Sequence, residues 1–159
     1  MHTMKRLAVM FALTGTTIPA GLAVAGDHVY AIDNPAYQAE CTSCHIAYPP
    51  QLLPARSWRA LMAGLDKHFG TDASLDPQSA AAITAFLEQN AGRKRASKYS
   101  SSTDPALRIT ETRWFVHEHD EVPARVWKHP KVKSAANCTA CHADADKGNF
   151  NEHGIRLPK

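Results

Sequence analysis

Cys41-Thr42-Ser43-Cys44-His45 and Cys138-Thr139-Ala140-Cys141-His142 hold all four cysteines of the 159-residue chain. Each reads Cys-x-x-Cys-His, the attachment pattern of a c-type haem. Two thiols about one helical turn apart reach the two vinyl groups of one porphyrin, and the adjacent histidine then sits beneath the iron. Cys41, Cys44, Cys138 and Cys141 are therefore read as thioether anchors of two covalent iron-bearing haems, with His45 and His142 as proximal ligands. A four-thiolate zinc site, two disulfides or a thioredoxin-like pair compete less well. Zinc does not require a histidine after each pair, disulfides rarely close such short loops twice, and a thioredoxin-like site expects a βαβ setting.

Upstream of the first motif the chain opens as a secretory signal. Lys5 and Arg6 form the charged region, an apolar stretch follows from Leu7, and Ala23-Val24-Ala25 offers a small-residue cleavage site. Residues 1–25 are read as a signal peptide and 26–159 as one dihaem domain, which implies export to the periplasm. Thr14, Thr16, Thr17, Pro19 and Gly21 make the stretch a poor membrane anchor. Removing Lys5 and Arg6 from the 18 basic side chains leaves 16 against 15 acidic ones. That balance gives no support for nucleic-acid binding through a broad basic face.

Between the motifs the patterning predicts an all-α, loop-rich chain, with helices packed around two haems and no clear strand alternation. Asp33-Asn34-Pro35 reads as a turn in a polar lead-in. A helix is expected from Pro54 or Ser57, with Trp58, Leu61, Met62 and Leu65 on one stripe and His68 extending it. Asp76-Pro77 reads as an N-cap followed by proline in the first turn, opening a helix through Ile83 and Leu87 that Gly92 stops. Residues 93–104, basic and serine-rich, read as a solvated connection. A further helix near Pro105 or Thr110 carries Thr112, Phe115, Val116 and His119, Pro123 interrupts it, and Ser134 is expected to cap a short helix delivering Cys138. The tail from Asp144 reads as polar and irregular.

Each iron needs a sixth ligand, usually histidine or methionine. Met62 is the one methionine left after the signal, so at most one haem can use methionine. His28, His68, His117, His119, His129 and His153 are the remaining histidine candidates. His68 comes first because it continues an apolar stripe, and His119 second because it shares a face with Phe115 and Val116. His117 points about 200° away on an ideal helix, while His129 and His153 read as surface residues. Trp58, Trp114, Trp127, Phe69 and Phe115 can pack on haems or serve as ordinary core. Lys128, Lys131 and Lys133, just ahead of the second motif, are either a solvated face or an orienting patch for an acidic redox partner.

The chain resembles the small bacterial dihaem cytochrome c family over residues 41–158. The likeness lies in Cys41-Thr42-Ser43-Cys44-His45-Ile46-Ala47-Tyr48-Pro49-Pro50, Leu53-Pro54-Ala55-Arg56-Ser57-Trp58, His68-Phe69-Gly70, Arg113-Trp114-Phe115, His119, Ser134-Ala135-Ala136-Asn137 and Ile155-Arg156-Leu157-Pro158. It implies bis-histidine ligation of both haems, with His68 and His119 in the family's ligand positions. The expected pairs are His45 with His68 and His142 with His119, a crossed pairing remaining open. Family members look like donors to a small oxygen-binding monohaem cytochrome or partners of a membrane b-type cytochrome, so membrane association is expected only through a partner.

The reading that follows is a periplasmic electron carrier rather than an enzyme. The alternative is a haem enzyme or a gas or redox sensor with one open or displaceable iron ligand.

Overall fold

The protein is described by a computed structural model over residues 29–93 and 105–159. The signal-peptide reading, His28 and most of the 93–104 connection lie outside the described residues. Within them the chain forms five short α-helices and several 3₁₀ turns. There is no β-strand, only the isolated bridge pairs Val29 with Asn149, His68 with Thr71, and His142 with Ile155. No helix among the described residues is long and apolar enough to cross a membrane.

Helix α1 (Pro35–Cys41) carries the first cysteine at its end. The lead-in is thus helical where a turn was expected, because Asn34 caps it by accepting from the Tyr37 amide at 2.8 Å and Pro35 occupies the first helical position. Helix α2 (Ala55–Ala63) buries Trp58 and breaks at Gly64 into a 3₁₀ turn, Leu65–Lys67, with His68 directly after it. The predicted stripe therefore holds, although its last step is a tighter turn. Helix α3 (Pro77–Gln89) starts as expected, with the Asp76 carboxylate accepting from the Gln78 and Ser79 amides. It ends at Asn90 rather than Gly92, and the Gly92 amide turns back to the Leu53 carbonyl at 2.9 Å. Helices α2 and α3 pack together, with Arg59 and Glu88 paired across their exposed rim at 2.6 Å.

Helix α4 (Arg113–Glu118) is capped by the Thr112 hydroxyl and buries Trp114 and Phe115, while His119 sits at its C-cap. Val116 departs from the expected face: it is 58% exposed, because a six-residue helix presents too narrow a stripe to bury it. The helix ends at Glu118, before Pro123 is reached, so Pro123 does not interrupt it and instead stands at the N-cap of helix α5 (Ala124–Trp127). The short α-helix expected from Ser134 does not form. Ser134 instead accepts from the Ala136 amide, and the motif forms a 3₁₀ turn, Cys138–Ala140. The tail holds two more 3₁₀ turns, Ala145–Lys147 and Glu152–Gly154, and Ala145 is fully buried.

Two apolar clusters share one joint. Ile32, Tyr37, Ala47, Leu53, Trp58, Ile83 and Leu87 form one. Leu52, Trp114 and Phe115 form the other. Adjacent residues Leu52 and Leu53 point into different clusters: Leu52 ends the 3₁₀ turn Pro50–Leu52, and the backbone becomes extended at Leu53. Three donors pin this strut: Trp58 Nε1 to the Pro50 carbonyl at 2.7 Å, Trp114 Nε1 to that of Leu52 at 3.2 Å, and Tyr37 Oη to that of Tyr48 at 2.7 Å.

Candidate haem-ligand pairs

Folding brings the four site histidines together in two facing pairs. His45 and His68 have ring centres 6.1 Å apart with planes inclined by 34°. His119 and His142 have centres 6.3 Å apart with planes inclined by 75°. These spacings can be tested against an iron between the rings. Two metal–imidazole bonds of about 2 Å, plus about 1 Å from each nitrogen to its ring centre, put the centres about 6 Å apart. Both pairs fit that spacing, and the histidines that approach one another are those of the expected uncrossed pairs.

Each pair has its own support. At the first, His45 Nδ1 lies 2.6 Å from the Ile46 carbonyl oxygen, which leaves Nε2 for an iron. The Tyr48 ring stacks on His45 with centres 4.9 Å apart. Phe69 lies beside His68 at 4.8 Å, and the Arg108 guanidinium stands 3.9 Å over the Phe69 ring. Phe69 has a φ of 49°, uncommon for a residue with a side chain, and is 46% exposed. Burial first, then neighbouring His45 and Arg108, holds His68 below the ordinary histidine range.

At the second, His119 Nδ1 lies 2.8 Å from the Phe115 carbonyl oxygen, and its ring stacks on Phe115 at 4.0 Å. Trp127 approaches His119 at 5.9 Å and Phe150 approaches His142 at 5.4 Å. His142 Nδ1 is buried and has no hydrogen-bond partner among the described residues. Burial, with His119 adding to it, holds His142 below the ordinary range. A cavity of about 10 Å³ adjoins it, lined by His142, Asp144, Asn149 and Asn151 among others.

The cysteines are free of disulfides, and among the described residues no three His, Cys, Asp or Glu side chains converge to hold a metal ion. Burial pushes the Cys41 and Cys138 thiols up to about 11. Burial with Cys138 nearby pushes the Tyr48 phenol up to about 12.

Of the other candidates, His117 is exposed and faces Asp120 at 3.7 Å, as its helical angle implied. His153 is exposed, whereas His129 is half-buried, its Nδ1 accepting from the Lys131 amide at 3.2 Å. Met62 packs beside the first apolar cluster. Trp58 and Trp114 are core, while Phe115 and Trp127 line His119. Two neighbours escaped the sequence reading. Phe150 stood in a tail read as irregular, and Tyr48 stood in a proline-rich stretch; both are near their histidines in sequence, but no helical or strand periodicity there marks the contact.

A family model for dihaem cytochrome c matches residues 37–150. Among solved structures, the chain is similar to a diheme cytochrome c from Rhodobacter sphaeroides, with 46% identity over 77% of this chain and 99% of that one and a TM-score of 0.70. A diheme cytochrome type c from Shewanella baltica OS155 is 44% identical over 79% of this chain and 93% of that one, with a TM-score of 0.67. No curated protein matches.

Proposed function

The chain belongs to the dihaem cytochrome c family and carries two covalently bound c-type haems, and from that premise we propose that it is a periplasmic electron carrier with both irons closed by histidine. Cys41 and Cys44 anchor one haem and Cys138 and Cys141 the other. His45 with His68, and His142 with His119, are the axial ligands. Each haem supplies a one-electron Fe(III)/Fe(II) couple. The protein's part is to hold two imidazoles at fixed spacing, so that ligands need not exchange on electron transfer, and to exclude water from the iron faces.

The observation that carries this reading is the spacing of the two histidine pairs, each about 6 Å between ring centres, which leaves no room for a third group on the iron axis. An enzyme or gas sensor needs one open or displaceable position. The export signal read in residues 1–25 supports the periplasm. The partner is a small oxygen-binding monohaem cytochrome or a membrane b-type cytochrome, met in a transient, charge-steered encounter.

The test compares stopped-flow reduction of such a cytochrome by the reduced holoprotein with turnover of peroxide, nitrite and hydroxylamine. Fast transfer with negligible turnover is expected. Rapid turnover of any of the three by the unaltered protein overturns the carrier in favour of the enzyme.

A further inference from the structure

The two ligand pairs are alike in spacing and unlike in surroundings, and each difference acts on reduction potential in a known direction. A ligand imidazole whose Nδ1–H is held by a strong acceptor is more basic and stabilises the ferric state. His45 has such an acceptor at 2.6 Å. At the other pair His119 has a longer contact, 2.8 Å, and His142 Nδ1 is buried without a protein partner. The adjoining cavity is at the lower limit for one water, and such a water is a weaker acceptor than a fixed carbonyl.

Burial and charge point the same way. A bis-histidine iron centre is cationic when ferric and neutral when ferrous, so apolar walls favour reduction. His119 and His142 are lined by Phe115, Trp127 and Phe150, whereas His68 has the exposed Phe69 beside it. Residues 29–93 hold six acidic and four basic side chains, and residues 105–159 hold seven and nine. Lys128, Lys131 and Lys133, just ahead of Cys138, are exposed and make no ion pair among the described residues. The Asn137 amide fixes their loop by donating to the carbonyls of Lys131 and Val132, and Lys133 is held at a φ of 60°. Arg108 near His68 opposes this trend, but it is exposed and lies 3.4 Å from Glu111, which offsets it.

We propose that the iron between His119 and His142 has the higher potential, so that an electron taken up between His45 and His68 settles there and leaves past the lysine loop to an acidic redox protein. This rests on the carrier reading. In the internal step the first iron goes from Fe(II) to Fe(III) and the second from Fe(III) to Fe(II), with no bond made or broken. A one-electron donor protein then re-reduces the first iron, and the acidic acceptor oxidises the second.

The ring planes provide a label for the experiment. Near-parallel imidazoles split the iron d orbitals more than near-perpendicular ones, so the 75° pair gives the paramagnetic resonance signal with the larger maximal g value. A redox titration of the oxidised holoprotein, with His68→Ala and His119→Ala confirming which signal is which, should show the large-g signal vanishing first as the potential is lowered. Loss of the other signal first, or loss of both together, overturns the order. Replacing Lys128, Lys131 and Lys133 by Glu should slow oxidation of the reduced protein by hexacyanoferrate(III) several-fold at low salt and remove most of its salt dependence. An unchanged rate overturns the exit face. A high-spin haem in the unaltered protein overturns the carrier reading itself, whereas two low-spin haems titrating in reverse order overturn only the direction.

Discussion

The Tyr48 hydroxyl donates to the Ala136 carbonyl at 2.8 Å, while its ring stacks on His45. One side chain therefore touches the proximal ligand of the first motif and holds the backbone two residues ahead of Cys138. It is one direct tether between the surroundings of the two sites.

Tyr48→Phe keeps the stack and loses the tether, leaving the Ala136 carbonyl with the Cys138 amide as its remaining backbone donor. It should cost about 1 kcal/mol of stability and leave the spectrum of the His45 haem unchanged, read by denaturant unfolding and absorption. Tyr48→Leu should also alter that spectrum.

His68→Ala and His119→Ala should each turn one haem high-spin and let it bind carbon monoxide, with the other haem untouched. His117→Ala should do neither, since His117 is exposed beside Asp120. Carbon monoxide binding to His117→Ala with none to His119→Ala would reassign the ligand.

Acid should release the ligands late. Only neutral imidazole binds iron, and burial holds His68 and His142 below the ordinary value of 6.5. Groups with depressed folded pKa values contribute stability that is present above the unfolded value and lost as pH falls through the folded one. The low-spin spectrum should thus persist through pH 6.5 and give way to high-spin below it. Conversion centred above 6.5 would contradict the ligation or the burial.

Two left-handed glycines should respond differently to alanine. A Cβ on Gly148 would stand 2.1 Å from the Tyr30 carbonyl oxygen, whereas one on Gly70 meets nothing within 4 Å. Gly70→Ala should cost about 1 kcal/mol from backbone strain alone. Gly148→Ala should cost clearly more and disturb the haem beside His142, because Tyr30 contacts Phe150 and Phe150 contacts His142. Equal losses in thermal unfolding would rule out the close approach.

What the sequence disclosed depended on how local the cause was. The attachment motifs, the Asp76-Pro77 start of α3 and the exposure of His117 follow from spacing within a few residues. Helix α1 was hidden because Asn34-Pro35 has the same chemistry in a turn as in a helix start. The missing helix before Cys138 and the outward Val116 reflect elements too short for periodicity to fix. Tyr48 and Phe150 lie within eight residues of the histidines they touch, yet they sit outside any regular helix whose periodicity would reveal the contact, and the Tyr48 tether to Ala136 spans 88 residues.

The Tyr30 amide donates to the Gly148 carbonyl at 2.8 Å, and Val29 bridges Asn149. Any chain that emerges from its N-terminus, from a ribosome or through a translocation pore, presents Tyr30 long before Gly148 exists beside it. The clasp therefore closes late, followed only by contacts such as the Ile155 bridge to His142 and the Arg156 amide's bond to the Cys141 carbonyl. Until Phe150 arrives, the flank of His142 that its ring contacts has no such cover. A chain truncated before Gly148 should accept its first haem and mishandle its second, because it lacks both the clasp and the Phe150 ring beside His142.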